Sequence, residues 1–248
     1  MMSRSEPKLE VLDTPETLAH RVADWLLAAA TEQDGVFTIA LCGGATPRRL
    51  YELLSTPPYL ESFPWGRTHW FWGDERFVGH DDAQSNYRMI REALLSRAPI
   101  PAANIHAIAT DDIDPEAAAI AYEADLKTFY DADRLDPARP LFNVTLLGLG
   151  AEGHTASLFP GSDALAERNR WAVSVIGVKP ETRITLTYPV LESTLNAAFL
   201  VVGAEKRQIF ARLRAGDDAL PAARLCPSGT LWLFADTSAA GEDVPPGP

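Results

Sequence analysis

Cysteine is nearly missing from these 248 residues: only Cys42 and Cys226 occur, far apart and in no CxxC pair. Two isolated thiols build neither a disulfide framework nor a thiolate metal site, so a reducing, cytoplasmic setting is expected. Positive charge is also scarce, with 22 Lys and Arg against 34 Asp and Glu and a formal charge of −12. A nucleic acid or an anionic membrane surface needs a basic face, and neither is an expected partner. No stretch approaches 18 uncharged apolar residues, and Met1 to Lys8 leads into no apolar export core, so neither a membrane span nor secretion is expected. The serine-esterase elbow GxSxG, the zinc helix HExxH and the phosphate loop GxxxxGK[ST] are all lacking. A small anionic ligand remains compatible with the charge, because it requires only a local cluster of cations and N–H groups.

What is present reads as an ordinary globular chain, 46% hydrophobic and 23% charged. At roughly 150 residues per domain the length allows one large α/β domain, and a chain of this size buries on the order of 70% of its extended surface without staples. Leu18, Val22, Trp25 and Leu26 recur at helical spacing behind Thr14-Pro15, predicting a helix over about 15–31. Apolar strands are expected at 36–41, 68–72, 105–108, 141–147, 171–178, 198–202 and 231–235, and helices at 46–54, 85–97, 114–130 and 204–214, with a helical turn at 189–192. Thr46 is read as N-cap of the 46–54 helix with Pro47 at its first position. Apolar strands alternating with helices imply a doubly wound, mainly parallel Rossmann-like sheet with helices on both faces, with room for a small excursion around 155–195. One α/β domain is expected over 1–237, followed by a disordered tail over 238–248 rich in Gly, Pro and acid.

In such a sheet, ligands sit beyond the carboxyl ends of the strands. Three segments share that address. Cys42-Gly43-Gly44-Ala45-Thr46-Pro47 combines two glycines with a helix start, the ingredients of an anion cradle or of a plain tight turn. Gly73-Asp74-Glu75-Arg76 offers a guanidinium that could fork onto an oxyanion or a phosphate, or else a solvent-facing ion pair. Gly148, Gly150 and Gly153 spell G-x-G-x-x-G, yet Pro160 stops any helix soon afterwards, and no carboxylate stands at the end of the next strand to hold a ribose. A dinucleotide-binding reading therefore lacks both its helix and its acid, and a nicotinamide-cofactor binding test would decide it. His154, beside Glu152 in this turn, is placed as a general base whose pKa a carboxylate can set. His20, His69, His80 and His106 have surface or core settings, and Trp65, Trp70 and Trp72 read as core.

Taken together, Cys-Gly-Gly-Ala-Thr-Pro at 42–47, Gly-Asp-Glu-Arg at 73–76 with Ser85-Asn86-Tyr87, and Gly-Leu-Gly-Ala-Glu-Gly-His-Thr-Ala-Ser-Leu-Phe-Pro-Gly at 148–161 resemble the 6-phosphogluconolactonase family. Arg183-Ile184-Thr185-Leu186-Thr187 and Gly203-Ala204-Glu205-Lys206 extend the resemblance, in the family's order, to about residue 206. The resemblance implies the fold of the sugar-phosphate isomerases and deaminases, and hydrolysis of 6-phosphoglucono-1,5-lactone in the oxidative pentose phosphate pathway without metal or cofactor. It implies His154 as base and then acid, Glu152 as its orienting carboxylate, and Arg76 as an electrostatic clamp. Gly43, Gly44, Ala45 and Thr46, with Arg183 and Lys206, would hold the phosphate, and Asp74 and Asn86 are further site candidates. Ala45 stands where the family carries Ser, and Glu152 where it carries Asp. The implied partner is a small phosphorylated sugar lactone, bound by a monomer or small homo-oligomer. Two rival readings are a glucosamine-6-phosphate deaminase or isomerase, with Asp74 opening the ring, and a non-catalytic sugar-phosphate sensor that needs the cradle but not His154.

Overall fold

The computed structural model describes residues 6–241. In chain order the elements are β1 (Lys8–Leu12), α1 (Pro15–Glu32), β2 (Phe37–Leu41), α2 (Ala45–Leu54), α3 (Tyr59–Ser62), β3 (Thr68–Trp72), β4 (Asp74–Arg76), α4 (Asn86–Ile90), β5 (Ile105–His106) and α5 (Pro115–Tyr130). After them come β6 (Phe142–Leu147), β7 (Ala172–Val175), β8 (Arg183–Leu186), α6 (Tyr188–Glu192), β9 (Thr194–Val201), α7 (Arg207–Arg214), α8 (Pro221–Arg224), β10 (Thr230–Asp236) and α9 (Thr237–Ala240).

Seven strands form one parallel sheet in the order β1-β10-β9-β6-β2-β3-β5. All five residues of β2 are buried, which requires cover on both faces and explains why Phe37–Leu41 carries no polar alternation. The expected doubly wound class is therefore the one found. From β2 the chain steps outward one way through β3 to β5, and from β6 the other way through β9 to β10, so the order reverses between the neighbours β2 and β6. A crevice opens at such a switch point, beyond the carboxyl ends of the strands.

Gly73 takes the chain out of this sheet into a second one. Its N–H donates to Leu41 O at the end of β2 (2.8 Å), while its own carbonyl accepts from Leu186 N of β8 (2.9 Å). The second sheet is antiparallel, in the order β4-β8-β7. It realises the excursion expected near 155–195 but also recruits Asp74–Arg76, three charged residues with no strand signal of their own. The strand expected at 171–178 is shorter and lies in this small sheet, not the main one.

Two other expectations are corrected. Gly44, not Thr46, is the N-cap of α2; Thr46 lies inside the first turn, and no side chain caps the helix. The chain does not leave the fold at residue 238: Thr237–Ala240 is a helical turn capped by Asp236, whose Oδ1 accepts from Ala239 N (2.8 Å), with Ala239 and Ala240 buried. The remainder of the expected tail, 242–248, lies outside the described residues. β1, which no periodicity reveals, pairs with β10 as an edge strand.

Trp65, Trp70 and Trp72 are buried in the core as expected. His69, His80 and His106 are satisfied away from the switch point. His69 Nδ1 lies 3.0 Å from His106 Nε2, whose Nδ1 meets Asp125 (2.9 Å), and His80 Nε2 meets Ile108 O (2.9 Å). No helix among the described residues is long and apolar enough to cross a membrane.

Candidate active site

The three strand-end segments converge. A cleft of about 390 Å³ is lined by Gly43 and Gly44 after β2, Asp74 and Arg76 of β4, Asn86 at the start of α4, Gly148–Ala151 and His154 after β6, Lys179, Arg183 and Lys206. Among the described residues, four cations thus face one carboxylate in a protein of net charge −12. That local reversal of sign is what an anionic ligand requires.

The Asp-Glu-Arg run works through strand alternation. Period two puts Asp74 and Arg76 on the cleft side and turns Glu75 away from it. Glu75 is fully buried, and its carboxylate accepts from Asn86 N (2.8 Å), Tyr87 N (2.6 Å), Arg76 N (2.7 Å) and Ser85 Oγ (3.2 Å). Burial raises its pKa, and those backbone donors oppose the rise. Glu75 thereby satisfies the first amides of α4 and fixes Asn86, whose Nδ2 donates to Asp74 O (3.0 Å). A Cβ on Gly43 would lie 1.9 Å from Asn86 Oδ1, so only glycine lets the two segments close. The solvent-facing ion pair is not what forms: Asp74 is buried and accepts from Ser157 Oγ (2.6 Å), and Arg76 Nη1 donates to Gln84 O.

Arg76 stands directly opposite Arg183 in the β4–β8 register. Like charges paired across strands are unfavourable. Arg183 Nε is buried with no hydrogen-bond partner, and its Nη2 reaches only Glu181, at 3.4 Å. Burial and then the Arg76 charge push the Arg183 pKa down. Lys206 Nζ is held by Leu149 O (2.8 Å), which ties the turn after β9 to the turn after β6.

The Gly148–Gly153 turn exists to place His154. Gly150 N donates to His154 O (2.9 Å) and Gly153 N to Gly150 O (3.0 Å). Gly153 has φ +82°, the left-handed region, and packs against Leu220. The residues beyond it form no helix; Thr155 and Leu158 meet in an isolated bridge instead. The His154 ring lies 4.5 Å from the Phe159 ring. Its Nδ1 is buried, so the exposed quarter of the side chain is the other edge, which carries Nε2. Glu152 Oε2 is 3.0 Å from Nδ1, yet it lies off the ring's N–H direction and Nδ1 has no aligned hydrogen-bond partner. The other carboxylate oxygen, Oε1, is taken by Lys179. Burial lowers the His154 pKa from its usual value, against the opposing pull of Glu152. Burial alone would raise the Glu152 carboxyl, but the Lys179 hydrogen bond and the His154 contact hold it down at about 2.

Of the residues expected at the site, Gly43, Gly44, Asp74, Arg76, Asn86, His154, Arg183 and Lys206 meet in the cleft. Ala45 and Thr46 do not line it; they contribute first-turn amides of α2 beside Gly44. Glu152 stands behind His154, not in the cleft wall. Lys179 and the roles of Glu75 and Ser157 were not expected from the sequence. For Glu75 the available signal was alternation within a three-residue strand; Lys179 lies in the β7–β8 connection, four residues ahead of Arg183, with nothing local to mark it. Cys42 lines the cleft as a thiol that burial and Asp74 push up to about 12, too high for a nucleophile. Among the described residues no three His, Cys, Asp or Glu side chains cluster as a metal site.

Residues 13–233 match the family model described as glucosamine-6-phosphate isomerases/6-phosphogluconolactonase. A 6-phosphogluconolactonase from Nostoc sp. is 41% identical over 241 residues, covering 94% of this chain and 97% of its own. The solved structure of 6-phosphogluconolactonase from Trypanosoma brucei superposes with a TM-score of 0.80 at 30% identity, covering 98% of this chain and all of its own. A monomeric glucosamine-6-phosphate deaminase shares the fold, with a TM-score of 0.78 at 19% identity, covering 94% of this chain and 98% of its own.

Proposed function

The chain belongs to the glucosamine-6-phosphate isomerase/6-phosphogluconolactonase family, and we propose that within it the protein hydrolyses 6-phospho-D-glucono-1,5-lactone to 6-phosphogluconate. In that role it serves the oxidative pentose phosphate pathway in the cytoplasm. The observation that carries the reading is one cleft holding both a histidine with a buried Nδ1 and four cations against one carboxylate.

A six-membered lactone is an activated ester and needs little beyond a positioned water, a base and a stabilised oxyanion. His154 Nε2 takes a proton from water as the hydroxide oxygen bonds to the lactone carbonyl carbon. Negative charge moves onto the carbonyl oxygen. As the tetrahedral intermediate collapses, the carbonyl re-forms, the bond to the ring oxygen breaks, and the imidazolium returns its proton to that oxygen. Glu152 stabilises the imidazolium between these steps. Arg76, Arg183 and Lys206, with the Gly43–Thr46 turn, hold the phosphate and the developing oxyanion; a bound dianion would relieve the repulsion between the two arginines and give Arg183 Nε a partner. Against a deaminase or isomerase, the Asp74 carboxylate is already engaged by Ser157.

The test is a coupled assay in which glucose-6-phosphate dehydrogenase generates the lactone and its loss is followed above spontaneous hydrolysis. Wild type accelerates the loss, and His154→Ala lowers kcat by about 10²–10⁴ with KM largely kept. No acceleration by wild type rejects the reading; an unimpaired variant removes His154 from the chemistry.

A further inference from the structure

Among the described residues, Lys179 is the one cation of the cleft that the mechanism does not use. It lies in the connection from β7 to β8, where Gly177 has φ +77° and Ile176 and Val178 are exposed. Its side chain is about one-third exposed and lines the cleft, with Nζ 5.2 Å from the centroid of Phe159, the ring that His154 also touches. Its partner is Glu152, the carboxylate that ought to serve His154.

This arrangement is unbalanced. Lys179 takes Oε1 of Glu152, while Oε2 sits near Nδ1 without aligning to it, so a buried imidazole nitrogen is left with no directed partner. Aligning Oε2 on Nδ1 requires the Glu152 carboxylate to turn, and the ammonium bonded to Oε1 opposes that turn. An anionic substrate entering the cleft competes for the same ammonium. We propose that Lys179 is a positioning residue that holds Glu152 off His154 Nδ1 in the free protein and releases it to the imidazole when a phosphorylated ligand draws the ammonium into the cleft. This rests on the reading of His154 as general base. It makes an aligned, strengthened base a consequence of binding the anion, so that the cleft selects phosphorylated substrates by activating itself on them. The charged groups around His154 are Glu152, Lys179 and Asp74, with Arg76, Arg183 and Lys206 further along the cleft wall. Of these, only Lys179 is bonded to the carboxylate in contact with Nδ1.

The experiment observes the Nδ1 proton directly by NMR on the full chain, free and saturated with 6-phosphogluconate, with inorganic phosphate as a second probe. A hydrogen bond to a carboxylate moves that proton far downfield. The resonance is expected to be missing in the free wild type and to appear with 6-phosphogluconate. In Lys179→Met it is expected already in the free protein and unchanged by ligand. Lys179→Arg, which can still grip Glu152, restores the free wild-type behaviour, and Glu152→Gln lacks the signal in every state. In turnover, Lys179→Met raises KM and moves the acid limb of kcat/KM upward by about one pH unit, an approximately tenfold loss on the acid side, while kcat on the alkaline plateau is preserved. Loss of the Lys179 charge alone also raises the acid limb, so the resonance is the deciding readout, and a merely structural lysine leaves it unmoved. A downfield signal already present in the free wild type, or missing from free Lys179→Met, overturns the proposal. The resonance is read without turnover, so a wild type that fails to hydrolyse the lactone counts against the hydrolase reading alone.

Discussion

Gly150→Ala tests whether the position of the His154 ring, and not its mere presence, sets the rate. A methyl group at residue 150 would lie 1.9 Å from His154 Nδ1 and 2.0 Å from Cε1, about 1.5 Å short of the 3.4 Å of ordinary contact. Gly150 is not in the left-handed region, so its backbone accepts alanine and the strain falls on the imidazole. The ring cannot retreat freely, because Nδ1 is buried and Phe159 packs on it. A misplacement of about 1 Å costs on the order of 10²-fold in rate, or about 2.7 kcal/mol of barrier. The expected loss is therefore at least 10²-fold in kcat in the coupled lactone assay, within reach of removing the ring altogether. Gly66→Ala, whose methyl group meets nothing within 4 Å, is the matched control and keeps full activity. Circular dichroism and thermal melting separate a moved ring from a damaged fold. Gly150→Ala with a kcat within threefold of Gly66→Ala and an intact melt would refute the argument that the turn exists to place His154.

Arg183→Met should raise thermal stability, by about 1–3 kcal/mol, because it removes a buried unpartnered N–H and a like charge opposite Arg76; it should also abolish the stabilisation that inorganic phosphate confers on wild type, both read from melting curves. The rate should fall far more for unphosphorylated gluconolactone than affinity alone explains, since binding energy at the phosphate positions the carbonyl; equal kcat/KM on both lactones would reject phosphate recognition by the cleft. Activity should persist in acid to below the usual imidazole range, because burial lowers the His154 pKa and the base works unprotonated; an acid limb of kcat/KM above the ordinary histidine value would contradict that sign. The same depressed pKa makes a stability contribution present above the unfolded histidine's pKa and lost as pH falls through the folded one.

How much was legible before folding differs from residue to residue. Amphipathic spacing and Thr14-Pro15 mark α1 to within a residue, and the apolar runs of β2, β3 and β6 announce a sheet buried on both faces. β1 escaped because an edge strand of mixed polarity has no periodicity to show, and its partner β10 lies at the other end of the chain. Thr46 looks like a cap because Gly-Gly-Ala-Thr-Pro admits two helix starts; in the fold Gly44 takes the cap, next to Gly43 where the turn closes on Asn86.

The sequence by itself determined the class of fold and which segments stand at strand ends, because side-chain periodicity and glycine placement are local properties. It also marked His154 as the distinctive histidine and Arg76, Arg183 and Lys206, but not Lys179, as cations available to an anion. Only the tertiary structure decided what those groups do to one another. It paired Arg76 with Arg183 across two strands far apart in the chain, turned Glu75 inward onto the amides of α4, and brought Lys179 to Glu152 behind His154. Such relations depend on register and on which face of a strand is buried, and both are set by long-range packing that no local pattern encodes.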